Sequence, residues 1–236
     1  MNGFIFASGV DNPNHGPHDA TGAFRPGAQA FKKVHNIPQD IFYFDWRDKD
    51  ADLRQRILDK LATVPCDDPD GLDVVAYFGH GISRGLPSAG FYSEDHAHKV
   101  RSDAQDLAAA IASVSKHEVR VVLYACSAGQ LPTSFASALA TALNSTDAAV
   151  FGHDRIGHSF ANPYVTIFQP GSPGRYVVEP GSTNWKAWAK AVRAGNSLHP
   201  ARDNFWARFP FMSEDEIKAE LGDAVPGGFS RPVGRF

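Results

Sequence analysis

Two apolar segments of this chain end in residues that can do chemistry together. Leu72-Asp73-Val74-Val75-Ala76-Tyr77-Phe78 runs into Gly79-His80-Gly81, and Val119-Arg120-Val121-Val122-Leu123-Tyr124-Ala125 runs into Cys126-Ser127-Ala128-Gly129. A thiol attacks as its thiolate, and an adjacent imidazole can take the thiol proton and later hand it to a leaving amine. A helix is expected to start soon after Cys126, where its dipole would favour the thiolate. Gly81 carries no side chain to shield its N–H, so the amides of Gly81 and Cys126 form a candidate oxyanion site. The chemistry these residues suggest is acyl transfer, with Cys126 as nucleophile and His80 as base and acid.

The elements that hold the pair can be read from hydrophobic periodicity. Phe4-Ile5-Phe6-Ala7 is a first strand, followed by a loop rich in Gly, Pro, Asn and His from Gly9 to Gly27. Pro26 opens a helix with Phe31 and Val34 facing the core. Ile41-Phe42-Tyr43-Phe44 is a second strand, and Leu53, Ile57 and Leu61 mark the next helix. The turn-rich linker from Pro65 to Gly71 leads to the Gly-His-Gly strand. After a long polar loop, Ser102-x-x-Gln105 reads as a capping box for a helix with Leu107, Ile111 and Val114 inside. That helix delivers the chain to the Cys126 strand. A further helix from near Pro132 carries Phe135, Leu139 and Leu143, and Ala148-Ala149-Val150-Phe151 is another strand. This alternation predicts a three-layer α/β sandwich, with a mainly parallel central sheet and helices on both faces. The 46 residues between His80 and Cys126 (126 − 80) accommodate a loop and one crossover helix between neighbouring parallel strands. Both residues then fall at strand carboxyl ends, where such sheets build their sites.

Beyond Gly152 the pattern changes. Tyr164-Val165-Thr166-Ile167-Phe168 and Arg175-Tyr176-Val177-Val178 read as an antiparallel hairpin. Trp185, Trp188, Phe205, Trp206, Phe209 and Phe211 make an aromatic-rich region, explained either by packing on the main sheet or by a protein-binding face. Ser213-x-x-Glu216 is a capping box for a last short helix, and the glycine- and proline-rich end reads as a flexible tail. The expected organisation is a catalytic domain over 1–180, an aromatic helical extension over 181–225 and a tail over 226–236.

Phe78-Gly79-His80-Gly81 and Tyr124-Ala125-Cys126-Ser127-Ala128-Gly129 resemble the caspase-like cysteine peptidases, a group that includes metacaspases and separase-related bacterial domains. In that family a His-Gly at one strand end precedes an Ala-Cys at the next by about 50 residues. The resemblance covers roughly residues 1 to 160. It implies a three-layer caspase-like fold, a His80/Cys126 dyad, an oxyanion site of Gly81 and Cys126 amides, and cleavage of protein or peptide substrates through a thioester without a metal or cofactor. Tyr124 stands where caspases proper often carry Gln, which disfavours that narrow subfamily.

The family also implies a pocket for the residue before the cut. Asp11, Asp19 and Asp154 are candidate acidic floors for a basic residue, Arg25 and Arg155 are candidates for an acidic one, and His153 is a candidate rim residue. Two other readings stand beside the peptidase. One is a catalytically silent caspase-like module that binds a partner through the aromatic C-terminal region. The other is an α/β serine hydrolase in which Ala125-Cys126-Ser127-Ala128-Gly129 is a nucleophile elbow, with Asp147 or Asp154 and His158 or His199 downstream.

Composition narrows the field. The chain has 236 residues, a formal net charge of -3 and 43% hydrophobic residues. Nothing in it forms the basic footprint of nucleic-acid or anionic-lipid binding. The apolar start is too short and lacks the basic residues of a signal peptide, and no run approaches the length of a membrane helix. With Cys66 and Cys126 as its two cysteines there is no disulfide framework. A cytoplasmic protein is therefore expected, with signal-independent export left open. His96, His98, His153 and His158 lack zinc-site spacing, so no metal is expected.

Overall fold

The computed structural model describes residues 1–9, 21–45, 48, 50–64, 71–95, 97–144, 147–157, 162–183 and 185–194. Asp11, Asp19, Cys66, His96, His158, His199, the aromatic residues from Phe205 to Phe211, the Ser213 box and the terminal tail lie outside that set.

Among the described residues, nine strands and five α-helices follow in the order β1 (Gly3–Ser8), α1 (Thr21–Val34), β2 (Phe42–Phe44), α2 (Asp50–Ala62), β3 (Leu72–Phe78), β4 (Gly85–Leu86), β5 (Phe91–Tyr92), α3 (Asp103–Val114), β6 (Ser115–Tyr124), α4 (Phe135–Leu143), β7 (Ala149–His153), β8 (Val165–Phe168), β9 (Arg175–Tyr176) and α5 (Trp185–Ala194). Seven strands form one sheet in the order β2-β1-β3-β6-β7-β8-β9. The first five are parallel, while β8 runs antiparallel to β7 and to β9. The hairpin expected between Tyr164 and Val178 therefore forms, and it closes one edge of the sheet.

The placement of the helices follows from chain direction. The connection from β1 moves to β2 on one side, whereas the later connections move the other way across the sheet. Right-handed crossovers then place α1 on one face and α2, α3 and α4 on the opposite face. The core divides accordingly. Phe24, Ala28 and Phe31 of α1 pack with Ile5, Ala76, Phe78, Val122, Tyr124 and Trp188. Leu53, Ile57, Leu107, Ile111 and Leu139 of the other three helices pack with Phe4, Phe6, Val75, Tyr77, Val121 and Leu123. The alternation of β3 and β6 between two apolar clusters explains why they read as continuous apolar runs. Trp188 is fully buried, and its indole N–H donates to Pro163 O at 2.8 Å, so α5 joins the α1 face. The connections leave in opposite senses on either side of the gap between β1 and β3, a topological switch point that opens beside the carboxyl end of β3.

Three expected boundaries are corrected. Helix α1 begins at Thr21, with Pro26 inside it, and its buried face is Phe24, Ala28 and Phe31 while Val34 is only partly covered. Ser102 does occupy the N-cap position of α3, yet its hydroxyl makes no capping bond and instead meets Asp106 Oδ2 at 3.2 Å. A carboxylate one turn along competes with the backbone amide for that hydroxyl. Helix α4 begins at Phe135, capped by the Ser134 side chain, which accepts from Ser137 N. The polar loop before α3 also contains the short β4–β5 hairpin, fastened by buried Asp103, whose Oδ2 accepts Tyr92 N–H at 3.0 Å and faces Arg101 Nη2 at 2.8 Å. Two-residue strands are too short for any periodicity to reveal.

Candidate active site

The register of β3 and β6 governs the site. Phe78 pairs with Tyr124 across parallel strands, and their rings stack at 4.3 Å. That pair is 46 residues apart (124 − 78), the same separation as His80 and Cys126, each of which lies two residues beyond the last paired residue of its strand. Pairing continues beyond the strand end, since Gly79 N–H donates to Tyr124 O at 3.4 Å. The His80 ring meets the edge of Phe24 at 5.2 Å and 88°, which places it on the α1 side of the sheet. Both His80 and Cys126 are partly exposed.

Gly81 is pressed against the Cys126 strand end. A Cβ at this position would lie 2.5 Å from Cys126 O and 2.6 Å from Ala125 Cβ. Only a residue without a side chain permits that approach.

The turn after β6 rests on the strands beyond it. Ser127 N–H donates to Arg155 O at 3.4 Å, Gly129 N–H donates to His153 O at 2.9 Å, and Cys126 Sγ donates to Gly157 O at 3.3 Å. Ser127 adopts a left-handed φ of 55°, which is uncommon for a residue with a Cβ and is held here by the surrounding bonds. Beneath the turn, the buried Thr166 hydroxyl faces Gly129 O at 2.6 Å and Gly152 O at 3.1 Å. Thr166→Val keeps the shape and removes the donor, so it is expected to lower unfolding free energy by about 1–3 kcal/mol, read from denaturant melts. An unchanged melt would mean that this hydroxyl does not hold the turn.

The helix after Cys126 does not play its expected part. Helix α4 starts at Phe135, nine residues on (135 − 126), and its first amides are already engaged: Phe135 N–H donates to Ser83 O and Ala136 N–H to Ala128 O. Its terminus ties the turn to the loop after His80, and those donors are not directed at the thiol.

The other candidates separate by position. Arg25 is exposed on α1 with its guanidinium 5.1 Å from the Tyr43 ring, beside β2, with β1 and β3 between it and β6. His153 is fully buried at the end of β7, so it lies beneath the surface and not on an exposed rim. Asp154 and Arg155 do adjoin the Cys126 turn. The Asp154 carboxylate accepts Leu131 N–H at 3.0 Å and the Tyr176 hydroxyl at 2.5 Å, with Arg155 Nε at 3.6 Å. Burial, the hydrogen bond and the charge of Asp154 push the Tyr176 phenol up to about 12. The carboxylate thus fastens three segments around the turn. Arg155 stacks on Tyr164 at 4.0 Å and is 55% exposed, which leaves it a charged side chain beside the turn with room to meet a ligand. For the serine-hydrolase reading, Asp147 precedes β7 at the amino edge of the sheet, the far end from Ser127.

Sequence reasoning did not single out Tyr77 or the Gly157 carbonyl. A tyrosine among apolar inward positions of β3 was the available signal for the first, whereas a backbone acceptor on another loop leaves none.

Comparison with known proteins adds the following. Residues 54–162 match a family described as "Domain of unknown function (DUF8616)". That stretch contains both strand ends. No curated protein sequence matches the chain. Among solved structures the chain is similar to a secreted C11 cysteine protease from Bacteroides thetaiotaomicron, crystallised with an irreversible peptide inhibitor, at 14% identity and a TM-score of 0.34. The match covers 85% of this chain and 55% of that one, so the chain spans little more than half of the protease's length. Among the described residues, no helix is long and apolar enough to cross a membrane. Nor do those residues contain a group of three or more His, Cys, Asp or Glu that could hold a metal ion.

Proposed function

We propose that the chain is a caspase-like cysteine endopeptidase that hydrolyses peptide bonds through a thioester on Cys126. The observation that carries this reading is the shared register: His80 and Cys126 are 46 residues apart, and the residues Val74 to Phe78 just before them are also 46 from their partners on β6. A general base needs to be within reach of the proton it takes, and adjacent strand ends in matching register support that proximity.

In the proposed cycle His80 takes the Cys126 proton, and the sulfur attacks the substrate carbonyl carbon. The bond from Sγ to Gly157 O is given up at this stage, because a thiolate has no proton to donate. The negative oxygen of the tetrahedral intermediate is held by the amides of Gly81 and Cys126. Collapse breaks the C–N bond, the amine leaves with the proton from His80, and a thioester remains. Water then attacks the thioester with His80 as base, releasing the carboxylic acid and restoring the thiol. Arg155, exposed beside the turn, is the side chain of this chain best placed to read the substrate.

Labelling tests the reading. Iodoacetamide is expected to alkylate Cys126 faster than it does free cysteine near neutral pH, an excess that is lost in His80→Ala. Reactivity equal to free cysteine, or unaffected by loss of His80, would overturn the dyad. Modification of Ser127 by a fluorophosphonate would instead support the serine hydrolase, for which the left-handed backbone at Ser127 is the structural argument.

A further inference from the structure

We propose that Tyr77 is a positioning residue for the oxyanion site: by donating its hydroxyl to the His80 carbonyl, it fixes the peptide that carries the Gly81 N–H. This rests on the reading of His80, Gly81 and Cys126 given above.

Tyr77 is fully buried on the face covered by α2, α3 and α4, its ring 5.1 Å from Phe6 and parallel to Phe44 at 6.5 Å. Phenylalanine would satisfy such surroundings, and a hydroxyl buried there without a partner is costly. Its partner is His80 O, at 2.8 Å. Gly79 makes the reach possible, because a Cβ there would fall 2.2 Å from the Tyr77 oxygen. The side chain of Ser88, in the 3-10 turn Pro87–Ala89, also faces the phenol. The sequence Tyr77-Phe78-Gly79-His80-Gly81 is therefore a unit in which the phenol folds back over one glycine to hold the peptide before the next.

The consequence for chemistry follows from peptide planarity. The C=O of His80 and the N–H of Gly81 belong to one rigid unit and point in opposite directions. With the carbonyl drawn toward the buried phenol, the N–H is directed away from it, toward the side on which His80 meets Phe24. A carbonyl that accepts a hydrogen bond also makes its N–H a stronger donor. Burial pushes the Tyr77 phenol well above its ordinary value, and the charge on Cys126 pushes the same way. The hydroxyl therefore remains a donor at neutral pH.

Two reagents separate this role from that of the dyad. Iodoacetamide reports thiolate reactivity by direct displacement, which develops no oxyanion. p-Nitrophenyl acetate acylates the same sulfur through a tetrahedral oxyanion. In Tyr77→Phe the acylation rate of Cys126 is expected to fall about 10- to 100-fold while alkylation stays within about twofold. A ratio of the two rates equal to wild type, or an equal fall in both, overturns the inference. His80→Ala is measured alongside. If it leaves alkylation unchanged, the dyad fails and this inference with it; if it lowers alkylation while Tyr77→Phe keeps the wild-type ratio, the inference alone fails. Should Tyr77→Phe not fold, Ser88→Ala carries the test, since it retains the phenol but removes the hydroxyl that faces it. The same ratio is then expected to fall about threefold, and an unchanged ratio overturns the proposal.

Discussion

Replacing His80 by alanine is expected to lower hydrolysis of a labelled, unfolded protein substrate by about 10²- to 10⁴-fold with little loss of stability. The two outcomes separate because of where the residue lies. His80 is partly exposed just beyond the end of β3, and its ring meets the edge of Phe24 without being enclosed in the core. Truncation removes part of that contact and opens no closed cavity. The cost is expected near 1 kcal/mol, which for a domain of this size moves the melting temperature by about 2–4 °C. The expected catalytic loss is larger because in the proposed cycle one imidazole serves twice, taking the thiol proton before attack and giving it to the amine afterwards. Without it Cys126 must ionise unaided and the amine must leave without a proton. Hydrolysis and thermal melts measured on the same preparation decide the point. Retained activity within about threefold of wild type would show that His80 is not the base.

Gly81→Ala is the second substitution with a large expected effect, and it acts through the backbone. Its Cβ would lie within 2.5 Å of Cys126 O and 2.6 Å of Ala125 Cβ, and neither neighbour is the end of a flexible side chain. One of the two strand ends has to move. Movement on either side carries the Gly81 and Cys126 amides out of the geometry proposed for the oxyanion, so a fall of about 10²- to 10³-fold in turnover is expected. A lower melting temperature should accompany it, because β3 and β6 are the central strands of the sheet. Gly171→Ala supplies the control. Gly171 has a φ of 71° but nothing within 4 Å of an added Cβ, so alanine there strains the local backbone without touching the site. It should lower stability while preserving turnover. Full activity in Gly81→Ala would remove this amide from the mechanism.

Much of the architecture was legible because it rests on short-range periodicity. The apolar runs of β3 and β6, the helical spacing of Leu53, Ile57 and Leu61, and the change to an antiparallel hairpin after Gly152 all appear in the residue pattern and in the sheet. The misread boundaries share a cause, which is competition for the backbone that sequence does not display. Thr21 to Arg25 precede Pro26 within α1, because a proline near a helix start deprives the chain of few bonds. Ser102 gives its hydroxyl to Asp106 although Gln105 stands at capping spacing. The turn from Cys126 does not pass directly into a helix, since its amides find carbonyls on the loop after β7.

For the site itself, the sequence determined which groups are present and their order along the chain: an imidazole flanked by glycines, then a thiol 46 residues later, each after an apolar strand. Strand propensity and the carboxyl-end rule were enough to nominate them. Tertiary structure decided their relation, because register depends on which residues pair across strands, and no local pattern specifies that. It paired Phe78 with Tyr124, pressed Gly81 onto Cys126 O, and buried His153 while leaving Arg155 exposed beside the turn. It also placed the Tyr77 hydroxyl on His80 O. Residue type and spacing nominate a reactive pair, whereas the long-range pairing of β3 with β6 sets its alignment.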